Sequence, residues 1–280
     1  MSFYSFVYHQ LLKRHYFAIT GPNRVLPDFL IIGAKRCGTT SLFSHLPEHP
    51  SIAKSHHDNM GFFNDNFHLG VNWYKSFFPT KSYKKKIKKK YGKFLTFDVT
   101  TTYMESKRTA ENIIKIKPEI KIIVILRNPI DRAYSQFNVS VKEKTEELSF
   151  DDAINEEINR LEMEISENGE ERLLEFSREH RHYIKKSLYA MQLKPWFEIF
   201  PRKNILVLST EIFKENDKDT YKEIFEFLDI SEVQILNKQH MQKGEYSPMS
   251  EETRKKLREF FDTYNTELFE LVGKKFDWNY

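Results

Sequence analysis

Cationic and hydroxyl side chains are concentrated in one short glycine-bounded segment, residues 33–41, with the sequence GAKRCGTTS. The apolar, mostly branched residues 29–32 before it are typical of a buried strand, and the residues after it suit the start of a helix. A loop between a strand and a helix presents unpaired backbone N–H groups and the positive end of the helix dipole. The sequence therefore predicts an anion site, supported by these side chains: Lys35, Arg36, Thr39, Thr40 and Ser41.

This loop differs from the common nucleotide-binding loop G-x-x-x-x-G-K-[ST], because Thr39 occupies the lysine position. The next strong strand pattern, residues 121–126, is followed by Arg127. An ATP-hydrolysing site needs an acidic residue at such a strand end to hold magnesium, whereas a cation there suits a second phosphate group. Both differences argue against ATP–magnesium chemistry.

The segments that carry these cations resemble two motifs of one enzyme family. IIGAKRCGTTSL, residues 31–42, resembles the 5′-phosphosulfate loop of sulfotransferases that use 3′-phosphoadenosine 5′-phosphosulfate (PAPS). VILRNPIDRAYSQF, residues 124–137, resembles their 3′-phosphate segment, where Arg127 and Ser135 fill the arginine and serine positions. Two motifs in the family's order are more specific than either alone. The resemblance is greatest to the branch that contains the carbohydrate sulfotransferases and their bacterial relatives.

The resemblance implies PAPS as donor and transfer of its sulfuryl group to a hydroxyl or amine of a carbohydrate-type acceptor. Residues 187–196 resemble the family's S-x-Y-x-x-x-L-x-x-W helix, and residues 243–250 resemble a late loop that closes over the nucleotide. The donor-binding positions implied by all these motifs are Lys35, Arg36, Cys37, Gly38, Thr39, Thr40, Ser41, Arg127, Ser135, Tyr189, Lys243 and Gly244. For Trp196 we expect a place in the core.

The family usually has a catalytic lysine two residues before the last glycine of the loop, and Arg36 fills that position here. Arginine keeps its proton at any working pH, so Arg36 can stabilise the charge on the leaving phosphate but cannot donate a proton. Lys35 is a second candidate cation. We therefore predict Arg36 as a catalytic residue.

A general base must take the proton that the acceptor loses as it attacks. The family usually supplies a glutamate in a K-E-x-H-F-F segment, but the aligned residues 58–63 read DNMGFF, with Asn59 at the glutamate position. An asparagine side chain cannot act as a base. His56, His57 and Asp58 lie next to Asn59, and of these His57 and Asp58 are the candidates; Asp98, at the end of the following strand, is another.

Strand and helix patterns alternate along the chain. They predict the fold class α/β, as a P-loop-type three-layer domain with a central, mostly parallel sheet flanked by helices. Ligands of such sheets bind beyond the carboxyl ends of the strands, which is where Gly33 and Arg127 fall. We assign residues 1–26 to an N-terminal arm or helix and residues 27–280 to a single sulfotransferase-like domain.

Composition bears on compartment and cofactors. A net charge of +4 over 280 residues does not indicate a nucleic-acid partner. Cys37 is the only cysteine, so no intrachain disulfide forms, which favours a reducing compartment and predicts cytoplasmic localisation. No apolar run approaches the roughly 20 residues that span a bilayer. No zinc ligand set of the usual type is available, and we expect no metal.

Two basic segments have more than one interpretation. Residues 2–17 are aromatic and mildly basic, and suit either packing against the domain or peripheral contact with a membrane surface. Residues 81–93 are lysine-rich and suit either a solvated surface or an anionic partner, namely a glycan, a nucleic acid or a membrane. The simpler interpretation of the lysine-rich segment is a solvated surface.

Two other functions are compatible with the sequence. The first is a P-loop kinase of a small metabolite, against which Arg127 and Thr39 argue. The second is a catalytically degenerate relative that binds the nucleotide or a glycan without turnover, a hypothesis supported by Asn59 and by Thr101, which stands where the family usually has proline. The sequence identifies neither the acceptor nor the oligomeric state.

Overall fold

A computed structural model describes residues 17–169, 182–236 and 247–278, and its centre is one parallel sheet. The strand order is β2-β3-β1-β4-β5, and every neighbouring pair is parallel. The predicted fold class is therefore confirmed. The strands are β1 (Phe29–Gly33), β2 (Ile52–Lys54), β3 (Leu95–Val99), β4 (Lys121–Leu126) and β5 (Ile205–Ser209).

The helices connect and cover the strands. Within the described residues they are α1 (Thr39–His45), α2 (Val71–Lys75), α3 (Lys81–Tyr91), α4 (Lys107–Ile116), α5 (Pro129–Lys142), α6 (Phe150–Asn168), α7 (Tyr189–Ile199), α8 (Thr210–Glu215), α9 (Asp217–Leu228) and α10 (Glu251–Val272). Side-chain caps fix several starts. For example, Asn128 accepts hydrogen bonds from the backbone N–H groups of Ile130 and Asp131, so α5 begins directly after the end of β4.

The central strands are buried on both faces, as expected for a parallel sheet covered by helices. All five residues of β1 are buried, as are all residues of β4 except Lys121. The rings of Phe29 and Phe97 stack with centroids 4.9 Å apart, which packs β1 against β3 within the main apolar cluster.

A second apolar cluster lies between helices rather than on the sheet. It combines residues from α5, α6 and α10 with the segment that leads into α7. Glu157 of α6 is buried and accepts hydrogen bonds from the backbone N–H groups of Tyr183, Ile184 and Lys185 at 2.7–2.9 Å. This carboxylate therefore fixes the entry to α7, which reaches the site described below.

Strand register brings the ends of three strands together. Ile31 of β1 pairs with Val99 of β3, and Gly33 pairs with Val124 of β4. Immediately beyond β1, the N–H of Ala34 donates to the carbonyl of Ile125 at 2.8 Å. The loop after β1 therefore lies between the carboxyl ends of β3 and β4.

Candidate functional site

The loop between β1 and α1 makes its turn with two residues in the left-handed region of backbone space. Gly38 has φ of 98° and Arg36 has φ of 77°. After the turn, the N–H groups of Ser41 and Leu42 donate to the carbonyl of Gly38 and begin helix α1. This geometry leaves the side chains of Lys35, Arg36 and Thr40 exposed, while Cys37, Thr39 and Ser41 are buried.

The far side of the loop is attached to β5 and α8. The hydroxyl of Thr210 lies 2.7 Å from the carbonyl oxygen of Cys37 and 2.8 Å from that of Leu126. Thr210 is buried, so one side chain holds the loop against the end of β4. Sequence reasoning did not single out this residue, because nothing in its local sequence indicates such a contact.

Arg127 follows the last residue of β4 and is half-buried. Its Nε is buried and has no hydrogen-bond partner among the described residues. Two helical turns further on, Ser135 of α5 is buried, and its Oγ accepts a hydrogen bond from Arg36 Nε at 3.2 Å. The two predicted motifs therefore meet directly, although they are 99 residues apart at this contact.

Tyr189 contacts both the loop between β1 and α1 and the residue that follows β4. Its hydroxyl donates to the carbonyl of Arg127 at 3.0 Å and lies 3.8 Å from the sulfur of Cys37. The side chain is buried, and burial raises its pKa well above the usual tyrosine value. Tyr189 thus holds the loop and the end of β4 together. Trp196, about two turns further along α7, is buried in the core as expected.

Positive charge dominates this crevice. Burial lowers the pKa of Lys35, and the neighbouring charges of Lys186 and Arg36 lower it further, against the opposite effect of Glu143 and Glu105. Because cations here disfavour one another's charged forms, an anion bound between them relieves the repulsion. The positive charges of the crevice therefore favour the binding of an anion with several negative charges.

The same repulsion appears beside Arg127. Burial lowers the pKa of Lys214 in α8, and the charge of Arg127 adds to the effect. Lys214 was not among the predicted site residues. Since β5 lies next to β4 and α8 follows it, the rule that strand carboxyl ends share an edge could have found this lysine.

The Cys37 thiol is an inert part of the loop. Burial raises its pKa to about 11, although the charges of Arg132 and Arg127 act in the opposite direction. A thiol with this pKa is protonated at neutral pH and is a poor nucleophile. The buried side chain of Cys37 therefore fills space beneath the loop.

The loop after β2 reaches the carboxyl end of β3. The N–H of Asn59 donates to the carbonyl of Val99 at 2.6 Å, and Asn59 Oδ1 accepts from both the N–H and the hydroxyl of Thr101 at 3.2 Å. The predicted candidates His57 and Asp58 precede this anchor, half-buried and exposed respectively. The structure thus places both at the edge of the sheet that carries the anion loop.

Asp98 lies in a different environment from the other base candidates. Its carboxylate is fully buried and accepts hydrogen bonds from the hydroxyls of Tyr74 at 2.8 Å, Thr100 at 3.0 Å and Tyr103 at 3.0 Å. Burial raises its pKa to about 6. A carboxylate enclosed in this way has no surface with which to contact an acceptor. The observed geometry suits a residue that positions the end of β3.

The late-loop positions Lys243 and Gly244 lie outside the described residues. Among the described residues, no group of three or more His, Cys, Asp or Glu side chains is arranged to hold a metal ion. Nor is any helix in the described ranges both long and apolar enough to cross a bilayer.

Comparison with known proteins identifies the family of this crevice. The sulfotransferase domain profile matches residues 26–278. The chain is 24% identical to the membrane-associated sulfotransferase kil1 of Dictyostelium discoideum, covering 93% of this chain and 68% of that protein. It is 27% identical to the bifunctional heparan sulfate N-deacetylase/N-sulfotransferase 4 of Mus musculus, covering 89% of this chain but only 30% of that protein.

A third relative is the heparan sulfate glucosamine 3-O-sulfotransferase 3B1 of Mus musculus, at 23% identity over 92% of this chain and 66% of that protein. Among solved structures, a sulfotransferase from Alicyclobacillus acidocaldarius superposes with a TM-score of 0.67 at 24% identity, covering 90% of this chain and 98% of that one. This likeness confirms the fold. With the family profile matching most of the chain, the chain belongs to the sulfotransferase domain family.

Proposed function

We propose that this sulfotransferase takes the sulfuryl group of PAPS and transfers it in line to a hydroxyl or amine of a carbohydrate-type acceptor. The observation that carries this proposal is the 3.2 Å contact between Arg36 and Ser135. Through this contact the loop of residues 33–41, which suits the 5′ end of the donor, lies next to the segment with Arg127 and Ser135, which suits its 3′-phosphate. A nucleotide with anionic groups at both ends fits this pair of sites, whereas ATP carries all its phosphates at one end.

The residues present fit such a donor. Backbone N–H groups of residues 38–40 and the hydroxyl of Thr40 would hold the 5′ end. Arg127 would hold the 3′-phosphate, since its guanidinium has a donor with no partner among the described residues. Ser135 would then exchange its bond with Arg36 for one with the 3′-phosphate. Lys214 adds a further positive charge beside Arg127.

Sulfuryl transfer asks the protein mainly for positioning and charge stabilisation, as phosphoryl transfer does. The bond between sulfur and the bridging oxygen breaks, the acceptor oxygen or nitrogen bonds to sulfur, and 3′-phosphoadenosine 5′-phosphate (PAP) leaves with the bonding electrons. Arg36, with Lys35 beside it, would stabilise the charge that develops on the leaving phosphate.

The acceptor proton requires a base. His57 and Asp58 are the two candidates whose side chains are not fully buried. Asp98 would act through its hydrogen bonds to Tyr74, Tyr103 and Thr100, as a positioning residue. The general base is therefore proposed to be His57 or Asp58.

The acceptor class rests on the relatives, two of which are named as heparan sulfate sulfotransferases. The chain spans about a third of the length of the bifunctional relative, so the proposal extends only to the sulfotransferase half of that activity. We further propose cytoplasmic localisation, on the basis of the single cysteine. Peripheral membrane contact through residues 1–26 is likewise a proposal, and residues 1–16 lie outside the described part of the chain.

The test is a calorimetric titration of the purified protein with PAP, and separately with ATP, in the presence of EDTA. We expect PAP to bind without magnesium and much more tightly than ATP. Equal affinity for the two nucleotides, or binding of PAP that requires magnesium, would refute the proposed donor class and favour a kinase-type site.

A further inference from the structure

Helix α3 is the most basic element of the chain and lies outside the proposed site. It contains seven lysines in 11 residues and no acidic residue. Six of these lysines are exposed, and we call them the lysine surface: Lys81, Lys85, Lys86, Lys88, Lys89 and Lys90. None of them makes an ion pair with another described residue, and in the same ranges the helix forms one ion pair, from Lys84 to Asp28 at 3.8 Å.

This charge works against the helix that carries it. Like charges four residues apart, such as Lys81 with Lys85 and Lys85 with Lys89, destabilise a helix. Lys81 in the first turn also opposes the helix dipole, although the dipole favours the lysines of the last turn, Lys88, Lys89 and Lys90. The helix is instead held by the cap from Thr80, by partly buried Ile87 and by the edge contact of Tyr83 with Phe94. The fold therefore does not need the lysines.

The donor site does not account for them either. Lys84 contacts Asp28, which precedes β1, and Tyr83 contacts Phe94, which precedes β3. These contacts place α3 at the amino ends of the strands, whereas the anion crevice lies at their carboxyl ends. A five-residue strand is about 17 Å long, so the sheet separates the lysine surface from the crevice.

Exposed apolar side chains lie next to the lysine surface. On the helix, Tyr83 is 46% and Tyr91 42% exposed. Residues 17–25 join the start of the helix, because the N–H of Val25 donates to the carbonyl of Pro79 at 3.1 Å and Arg24 pairs with Thr80. In that segment Ile19 is 76% exposed.

We propose that α3 and the adjoining residues 17–25 bind the surface of an anionic lipid membrane, with the transfer crevice facing away from the bilayer. Lysine side chains are attracted by anionic headgroups, and tyrosine and isoleucine side chains enter the boundary between headgroups and acyl chains. The combination favours a lipid surface over a sulfated polysaccharide, because only a bilayer has an apolar layer that the exposed aliphatic side chain of Ile19 enters. This inference is independent of the donor and of the acceptor.

The test is co-sedimentation of the full chain with phosphatidylcholine vesicles, with and without phosphatidylserine. We expect binding only when phosphatidylserine is present, and weaker binding as salt is added. The triple variant K85Q/K86Q/K89Q should bind about 100-fold more weakly, at roughly fivefold per lysine. The matched control K107Q/K218Q/K255Q removes the same charge from exposed lysines near the starts of α4, α9 and α10, on the carboxyl side of the sheet, and should bind as the parent does.

Thermal unfolding checks that both variants are folded, and the α3 variant should be no less stable than the parent because it removes like-charge repulsion. Three results would each overturn the proposal: no preference for phosphatidylserine vesicles, equal loss of binding in the two triple variants, or no loss in the α3 variant. Retention on heparin beads that depends on α3, without vesicle binding, would assign the surface to a polysaccharide instead.

Discussion

Replacing Arg127 by alanine should remove recognition of the 3′-phosphate and leave the fold intact. The guanidinium has a buried Nε without a partner among the described residues, and its charge lowers the pKa of nearby Lys214. Its removal therefore costs no hydrogen bond from Nε and relieves a repulsion. We expect the free energy of unfolding to change by less than about 0.5 kcal/mol, and the pKa of Lys214 to rise.

The loss of affinity follows from the bonds that a bidentate contact would make. Hydrogen bonds to charged groups contribute about 1.5–3 kcal/mol each. Two of them amount to about 3 kcal/mol or more, so PAP should bind about 100-fold more weakly to R127A. Lys214 and Ser135 remain at the site, which limits the loss.

The assay is calorimetry with two ligands, PAP and 5′-AMP, because 5′-AMP lacks the 3′-phosphate. R127A should lose affinity for PAP and keep its affinity for 5′-AMP. The variant R108A, at an exposed arginine of α4, serves as the matched control and should bind both ligands as the parent does. If R127A lost the same factor for both ligands, Arg127 would not be reading the 3′-phosphate, and the two-site interpretation would fail.

Three further predictions concern catalysis and stability. Arg36→Ala should lower kcat for sulfuryl transfer by at least about 100-fold while changing the Kd for PAP by less than tenfold. Arg36→Lys should keep most of the activity. Unchanged turnover in R36A would show that Arg36 is not catalytic. The pKa of Asp98 is about 6 in the folded protein against an ordinary value of 3.8, so the folded state binds the proton more tightly than the unfolded state. About 3 kcal/mol of the free energy of unfolding should therefore be lost as pH rises from about 4 to 6. Chemical denaturation of D98N should lack this pH dependence, and the same dependence in D98N would show that Asp98 does not cause it. One of His57→Ala and Asp58→Asn should lower kcat by about 100-fold or more with little effect on PAP binding; full activity in both variants would exclude each as the base.

Sequence patterns were sufficient for most of the sheet. β1, β4 and β5 are apolar runs of five or six residues, as fully buried parallel strands are. β2 was not predicted, because it has three residues and only Ile52 is buried, which is too short for a periodic signal. The helix that carries the motif of residues 187–196 starts at Tyr189, because a 3-10 turn, Lys185–Ser187, precedes it.

The sequence likewise predicts some parts of the candidate site and not others. The anion loop and the Arg127–Ser135 segment are each continuous in sequence, so motif and strand-end rules place them. The contact of Arg36 with Ser135 depends on packing between residues 99 apart. The burial of Asp98 depends in part on Tyr74, which lies 24 residues earlier in the chain, so that contact has no local signal. The contact with Tyr103, five residues after Asp98, is local.

The most direct test of the two-anion crevice is a crystal structure of the complex with PAP. We predict the 5′-phosphate within hydrogen-bond distance of the backbone of residues 38–40, and the 3′-phosphate bonded to Arg127 and Ser135. Arg36 should then have left Ser135. A complex in which the Arg36–Ser135 bond persists and neither phosphate contacts Arg127 would contradict the proposed donor site.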